Sequence, residues 1–403
     1  MEFRYSDRMS EMKGSAIREI FKLAGDPAVI SLAGGNPAPE LFPNRELSEI
    51  AQRLLADSPV LSLQYGVTEG YGPLREQTKE RIRTKKGVDT QNNELIVTSG
   101  GQQGIELIAK CLVNEGDGVI VEEPSFIGAT NAFRSFGARL IGVPMESDGM
   151  DIGKLEKALD ENENVKIIYV IPTFQNPSGI TTSLEKRKAI YSLALRHRVL
   201  IIEDDPYGDL RFAGEDVPTI KSLDTEGIVA YCGSFSKVVA PGLRVGFTCG
   251  PKELIAKAVV AKQVSDVHTA MLPQLLVSEF LKNYDLDSYI EKNRELYRRK
   301  CALMLKSIDE RFPAGVTRTS PQGGLFVWCD MHGDFDTARI AKEAVKKNVV
   351  FVPGSTFMVD MSKPCDKFRL NYSTMPDEKI VRGVSILGDV LKECCGSNAR
   401  YEK

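Results

Sequence analysis

From Glu94 onward the chain alternates short runs rich in Val and Ile with segments of helical period: "ELIVTSG", then "GQQGIELIAKCLV", then "GVIVEEPSF". The rhythm continues through "ARLIGVPM", "VKIIYVIPTF", "SLEKRKAIYSLALRHR", "VLIIEDDPY" and "IVAYCGSFSK". Strands that are apolar along their whole length leave no face for water. They predict an α/β fold: a mostly parallel central sheet sandwiched by helices. In such sheets ligands sit beyond the carboxyl ends of the strands, where this chain places "TSGGQQ", "PSF", "PTFQNPSG", "EDDPY" and "GSFSK". The texture changes near Leu275, where a charged helical stretch leads to "GGLFVWCDM", "VVFVPGSTF" and "KFRLNYS", a smaller α+β domain. The opening residues are too loop-like to fold alone. The expected division is residues 1–45 completing the small domain, 46–285 forming the large domain and 286–403 the small C-terminal domain.

At 403 residues the chain is long enough to enclose a sizeable site. Lys and Arg total 52 against 55 Asp and Glu, a net charge of -3 that argues against a nucleic-acid binder and for small-molecule work. None of the eight cysteines forms a CxxC pair, and only three histidines occur, so a zinc site or a Ser-His-Asp hydrolase has little support. The charged opening "MEFRYSDRMSEMKGSAIREIF" has no apolar core, which excludes a signal peptide, and no apolar run is long enough to span a membrane. Unpaired cysteines without an export signal point to a cytoplasmic protein.

Lys237 lies in "YCGSFSKVVAPGLRVGF", among serines, glycines, a proline and an arginine, the composition of a tight loop that binds an anion. Gly101 and Gln102 stand where the strand "ELIVTS" turns into a helix, so backbone N–H groups and the positive helix end can face a phosphate. In "EDDPY" two carboxylates follow a buried-looking strand, a costly position unless they are paired. Asp204 and Asp205 compete for one role, since neighbours in a strand do not face the same way. No GxGxxG is present, which weakens a dinucleotide fold.

Taken in order from "SLAGGNPAPELFP" to "FRLNYS", these motifs resemble the class I pyridoxal-phosphate (PLP) aminotransferases of fold type I, specifically the branch with 2-aminoadipate and aromatic aminotransferases. The resemblance covers nearly the whole chain. It implies that residues 46–285 bind PLP, that Lys237 carries the cofactor and moves the Cα proton, and that Asp204 bonds the pyridine nitrogen. Tyr207 and Asn176 would contact the 3′-oxygen; Gly101, Gln102, Ser234, Ser236 and Arg244 would surround the phosphate. Phe126 would stack on the ring, where many relatives carry Tyr or Trp. Arg369 would clamp the substrate α-carboxylate with its planar fork, with Gly35 and Asn176 beside the substrate. Tyr65 would reach the phosphate of a neighbouring subunit, implying a homodimer with shared sites. Arg18 would read the side-chain end of the substrate. The implied reaction moves an amino group from an aromatic, apolar or 2-aminoadipate-type L-amino acid to a 2-oxo acid such as 2-oxoglutarate. A PLP lyase or decarboxylase is the enzymatic alternative. A regulatory protein built on the same domain is the other; with no basic module ahead of "ISLAGG", it has less support.

Overall fold

The computed structural model describes residues 3–11 and 28–398. After a short strand β1 (Ile30–Ser31), eight strands build the central sheet: β2 (Asn93–Thr98), β3 (Gly118–Glu123), β4 (Arg139–Glu146), β5 (Gly149–Met150), β6 (Val165–Val170), β7 (Leu200–Asp205), β8 (Val229–Ser234) and β9 (Gly246–Pro251). Their spatial order is β2-β9-β8-β7-β6-β3-β4-β5. The neighbours among β8, β7, β6, β3 and β4 run parallel, as the sequence predicts. β9 departs from this rule and lies antiparallel to both β2 and β8. The cause is its connection. A parallel neighbour needs a helical crossover, whereas β8 reaches β9 through the loop 235–245, which holds only the 3-10 turns Phe235–Lys237 and Pro241–Leu243.

Alternate residues of the inner strands feed two separate cores. Val119, Val121, Ile167, Tyr169 and Ile202 pack on one face, and Ile120, Ile168, Val170 and Ile201 on the other. Helices seal both. Leu184–His197 begins at Ser183, whose side chain accepts from the Lys186 N–H, and Ile152–Asp160 begins at Asp151, which accepts from Lys154 N–H. Leu155, Leu159, Ile190 and Leu193 of these helices cover the second core.

A second sheet contains β10 (Thr317–Arg318) and β11 (Phe326–Asp330); the chain then forms β12 (Val349–Val350), β13 (Val352–Pro353) and β14 (Lys367–Asn371). Four of these make an antiparallel sheet in the order β10-β11-β14-β13, while β12 pairs with β1 in parallel, Ile30 opposite Val349 and Ser31 opposite Val350. The segment after β1 is thereby drawn between the two sheets. Among the described residues no helix is long and apolar enough to cross a membrane.

A buried cation closes the edge of the large sheet. Lys221 Nζ donates to Asn93 Oδ1 at 2.8 Å, Asp224 Oδ2 at 2.7 Å and the Val229 carbonyl at 2.8 Å, tying the starts of β2 and β8 together. Both charged side chains are out of water. Asp224→Ala strands the ammonium, and breaking such a pair typically costs about 3–5 kcal/mol. A large fall in the urea unfolding midpoint is expected; an unchanged midpoint refutes this role.

Candidate active site

β7 ends in two carboxylates, and the pleat sends them to opposite faces. Asp204 Oδ2 accepts a hydrogen bond from Tyr169 OH at 2.7 Å. Asp205 instead accepts from Tyr231 OH at 2.8 Å and from the Gly208 N–H at 2.9 Å, with Lys86 Nζ 3.8 Å away. Asp204 has no such cation among the described residues. Burial pushes its carboxyl up to about 7; the Tyr169 bond opposes that rise and the charge on Asp205 adds to it. Its Oδ1 faces the turn after β2, where a methyl group placed on Gly101 would stand 3.9 Å from it.

That turn is bare backbone pressed into a crowd. Gly100 has φ of +82°, in the left-handed region, and Gly101 opens the helix Gly101–Leu112. A methyl on Gly101 would also lie 3.8 Å from the Gly233 carbonyl and 3.9 Å from Ser234 Cβ. A methyl on Gly246 would meet Gly100 C and Gly101 N at 2.6 Å, so β9 must be bare here too. Arg244 lies along the same backbone, Nη2 donating to the Ser99 carbonyl at 3.2 Å. Ser234 Oγ accepts from the Ser236 N–H at 3.1 Å and donates to Ser236 Oγ at 2.9 Å. A helix N-terminus, two hydroxyls and a guanidinium thus converge, the chemistry of a cup for an anion. Phe126 stands at its rim. Gln102 Nε2 donates to the Gly128 carbonyl at 2.8 Å, and a methyl on Gly128 would meet both Gln102 Oε1 and the Phe126 ring at 2.4 Å.

Lys237 ends the 3-10 turn that follows β8, and its Nζ donates to the Gly35 carbonyl at 2.7 Å. Burial pushes its amine down to about 8, and the cations Arg244 and Arg369 push the same way. Arg369, buried on β14, donates through Nη1 to Asn176 Oδ1 at 2.7 Å and through Nη2 to the Ala33 carbonyl at 2.6 Å. Its guanidinium lies 4.2 Å from the Phe326 ring centroid and 5.0 Å from that of Phe357. No carboxylate pairs with it among the described residues, and its buried Nε has no partner. Burial lowers it to about 10, so it remains a cation at neutral pH. The Asn176 side chain also hydrogen-bonds Tyr207, whose hydroxyl burial makes harder to ionise. The Tyr207 ring meets Phe326 edge-on at 5.7 Å, and a methyl on Gly35 would stand 3.5 Å from Phe326.

The fold therefore gathers Gly101, Gln102, Phe126, Asp204, Ser234, Ser236, Lys237 and Arg244 on one side, and Gly35, Asn176, Tyr207 and Arg369 on the other. Tyr65 stays apart: it is 82% exposed, its ring edge-on to His268 at 5.7 Å. Arg18 lies outside the described residues. Sequence reasoning did not single out Tyr169, Glu122, Gln175 or Arg187, all buried around the cluster. For Tyr169 a signal existed: it pairs in register with Ile202, and a hydroxyl on that face reaches Asp204, two residues further along β7.

A sequence model of the family described as "Aminotransferase class I and II" matches residues 28–387. The chain is 39% identical to aromatic-amino-acid aminotransferase 1 of Thermococcus litoralis, over 96% of this chain and 94% of the relative. It is 40% identical to the 2-aminoadipate transaminase of Thermus thermophilus, over 94% of each. Among solved structures, the Pyrococcus horikoshii kynurenine aminotransferase in complex with PMP aligns with a TM-score of 0.93 at 36% identity, over 96% of this chain and 97% of that one. The alpha-aminoadipate aminotransferase LysN of Thermus thermophilus, complexed with N-(5'-phosphopyridoxyl)-L-leucine, aligns at 0.90 and 38% identity, over 97% and 98%.

The electrostatics of Lys237 yield a direct test on cofactor-free protein. Its ammonium is disfavoured by burial and two guanidinium groups, so its labelling by an acylating reagent should reach half its maximum near pH 8, against ~10.4 for an ordinary lysine. Arg244→Ala removes one repelling cation and should move the midpoint to higher pH. Peptide mapping reads the labelled site; a midpoint unchanged by Arg244→Ala refutes the coupling.

Proposed function

Because the chain belongs to the class I and II aminotransferases, and so works with pyridoxal 5′-phosphate, we propose that the cluster around Lys237 is its active site and that it transaminates aromatic and 2-aminoadipate-type L-amino acids. The observation that carries this reading is the short segment Ala33–Gly35: the Gly35 carbonyl holds the Lys237 amine and the Ala33 carbonyl holds the Arg369 guanidinium. An amine made nucleophilic by its surroundings and a guanidinium with no carboxylate partner among the described residues are thereby set side by side, as an α-amino acid requires. The cofactor fits the unmet needs of the cluster. Asp204 is a buried carboxyl without a cation among the described residues, suited to a protonated ring nitrogen, and the turn at Gly101 with Ser234, Ser236 and Arg244 suits a phosphate. Phe126, at the rim of that turn, offers a π-face.

When bound, pyridoxal phosphate supplies a carbonyl carbon that takes the amino group and a cationic ring that accepts the electron pair left at Cα. Arg369, aimed by Asn176 and Ala33, binds the α-carboxylate and so fixes which Cα bond faces Lys237. The Lys237 amine, with its proton held weakly, removes the Cα proton and delivers it to the C4′ atom. Asp204 keeps a negative charge opposite the ring nitrogen, and Tyr207 with Asn176 offers hydrogen bonds at the 3′-oxygen. Water supplies the carbonyl oxygen of the first 2-oxo acid, which departs while its amino group stays with the cofactor, and a second 2-oxo acid, for which we propose 2-oxoglutarate, runs the same residues in reverse.

We further propose a cytoplasmic homodimer. Leu63 is 71% exposed, Tyr65 82%, Val67 61% and Val264 73%, and Tyr65 and Gly66 join the first three to the 264–268 turn through His268. Apolar surface this concentrated is the expected mark of a covered interface. The exposure of Tyr65 on this surface supports a role for it toward a second copy.

Absorbance changes of the holoenzyme, with each amino donor tested alone and then with 2-oxoglutarate, check the substrate class. Aromatic amino acids and 2-aminoadipate should convert the bound cofactor, and 2-oxoglutarate should restore it; release of free ammonia with a shortened product such as pyruvate, in place of the 2-oxo acid with the donor's own carbon skeleton, would overturn the reading. Lys237→Ala should lower turnover by at least ~10²–10⁴-fold while leaving the fold intact. Asp204→Asn should retain cofactor and lose most of the proton-abstraction rate. Damage confined to Asp205→Asn would mean that the wrong carboxylate has been assigned.

A further inference from the structure

Glu122, on β3, is a buried carboxyl that the proposed chemistry leaves unused. It is 1% exposed, and its Oε1 is buried with no hydrogen-bond partner among the described residues. Such an orphan is unusual in a folded protein and calls for a reason. Its other oxygen is fully engaged: Oε2 accepts from the Ile171 N–H at 3.1 Å and from Gln175 Nε2 at 3.2 Å. Burial pushes the carboxyl up to about 8, so at neutral pH it is mostly uncharged and needs no cation.

The consequence lies in the amide of Gln175. Its Nε2 has two N–H groups, and they are taken by Glu122 Oε2 and by the Pro124 carbonyl at 2.7 Å. The oxygen Oε1 is therefore forced to the other side, where it accepts from the Ser178 N–H at 2.8 Å and its hydroxyl at 2.7 Å. A flipped amide would set N–H against the Ser178 donors at one end and oxygen against the Glu122 and Pro124 oxygens at the other. Gln175 backbone groups close the same turn, its N–H donating to the Ile180 carbonyl at 2.8 Å and its carbonyl accepting from Gly179 N–H at 2.6 Å. Between them sits Asn176, the one described side chain that hydrogen-bonds both Arg369 and Tyr207. The far side of the loop is gripped by Arg187, whose buried guanidinium donates to the carbonyls of Pro172 and Thr182 and to Thr173 Oγ1.

We propose that Glu122 is a positioning residue for substrate recognition: by fixing the amide of Gln175 it sets Asn176, and through Asn176 it aims Arg369 at the α-carboxylate of the amino acid. This rests on the reading of Arg369 given above. An acceptor at position 122 is what matters, and a carboxamide provides the same acceptor. Leucine provides none and leaves one N–H of the Gln175 amide without an acceptor, its orientation held by Pro124 and Ser178 alone.

The test measures binding, not turnover. The probe is a 2-methyl aromatic amino acid, which lacks a Cα proton, and its control is the corresponding arylalkylamine, which lacks the carboxylate; both are titrated by absorbance into the holoenzyme. Glu122→Leu and Gln175→Leu should each weaken the amino acid by ~10-fold or more, the scale of one charge-assisted hydrogen bond, and leave the amine unchanged. Glu122→Gln should behave as wild type. Equal losses for amino acid and amine would mark a general structural role and overturn the proposal, as would a loss in Glu122→Gln matching that in Glu122→Leu. If the leucine variants do not fold, Glu122→Met is read in their place as the variant without that acceptor, with the same loss for the amino acid expected and an unchanged affinity overturning the proposal. Arg369→Ala is the reference: weakened amino-acid binding there with none in Glu122→Leu sinks this proposal alone, and no weakening in Arg369→Ala sinks it together with the assignment of Arg369.

Discussion

The hydrogen bond from Lys237 Nζ to the Gly35 carbonyl joins parts of the chain 202 positions apart, and the arrangement of the site depends on it. Lys237 belongs to the loop that leaves β8 of the large sheet. Gly35 belongs to the segment that leaves β1, which pairs with β12 beside the smaller sheet. Arg369 reaches the same segment from β14. One extended stretch of backbone with two free carbonyls therefore registers an amine from one sheet against a guanidinium from the other. Two cations that would repel each other directly are each given an acceptor; burial weakens the hold on the Lys237 proton, and the repulsion from Arg244 and Arg369 adds to it.

Buried charge is distributed by the pleat of β7. Glu203 and Asp205 share one face and Asp204 the other. Glu203 accepts the N–H groups of Ile220 and Lys221 at 2.9 and 2.7 Å, and Asp205 lies near Lys86 and takes the Tyr231 hydroxyl. Only Asp204 is left with a single neutral partner among the described residues. Its burial without a cation costs stability, and a cationic ligand on that face repays the desolvation. The neighbouring Arg187 shows the opposite solution. It is buried but satisfied by backbone carbonyls, and so holds a loop without attracting an anion.

How much of this could be read beforehand varies with the kind of signal. The Val- and Ile-rich runs located the inner strands because burial on both faces leaves a composition that loops do not have. The antiparallel course of β9 was not legible, since "GLRVGFTCG" carries the same apolar character whichever way it runs. Asp204 and Asp205 stood adjacent in "EDDPY" with only the family resemblance to choose between them; in the fold the end of β7 and the neighbours Tyr169 and Tyr231 give them different partners. Glu122 and Gln175 looked like ordinary polar residues before turns. Their coupling spans 53 positions and exists only because β3 and β6 are adjacent in the sheet.

What the sequence by itself determined is local: the strand and helix segments, the bare turn at Gly100 and Gly101, and the set of polar clusters placed at strand ends. These follow from periodicity, side-chain volume and the conformational freedom of glycine, all of which act over a few residues. The tertiary structure decided which of those polar groups meet. Lys237 with Gly35, Arg369 with Asn176, and Glu122 with Gln175 are contacts between segments far apart in the chain. Their chemistry is set by burial, which no single segment possesses. A lysine or an aspartate takes its proton affinity from what surrounds it, and those surroundings come from strand order and the docking of the two sheets.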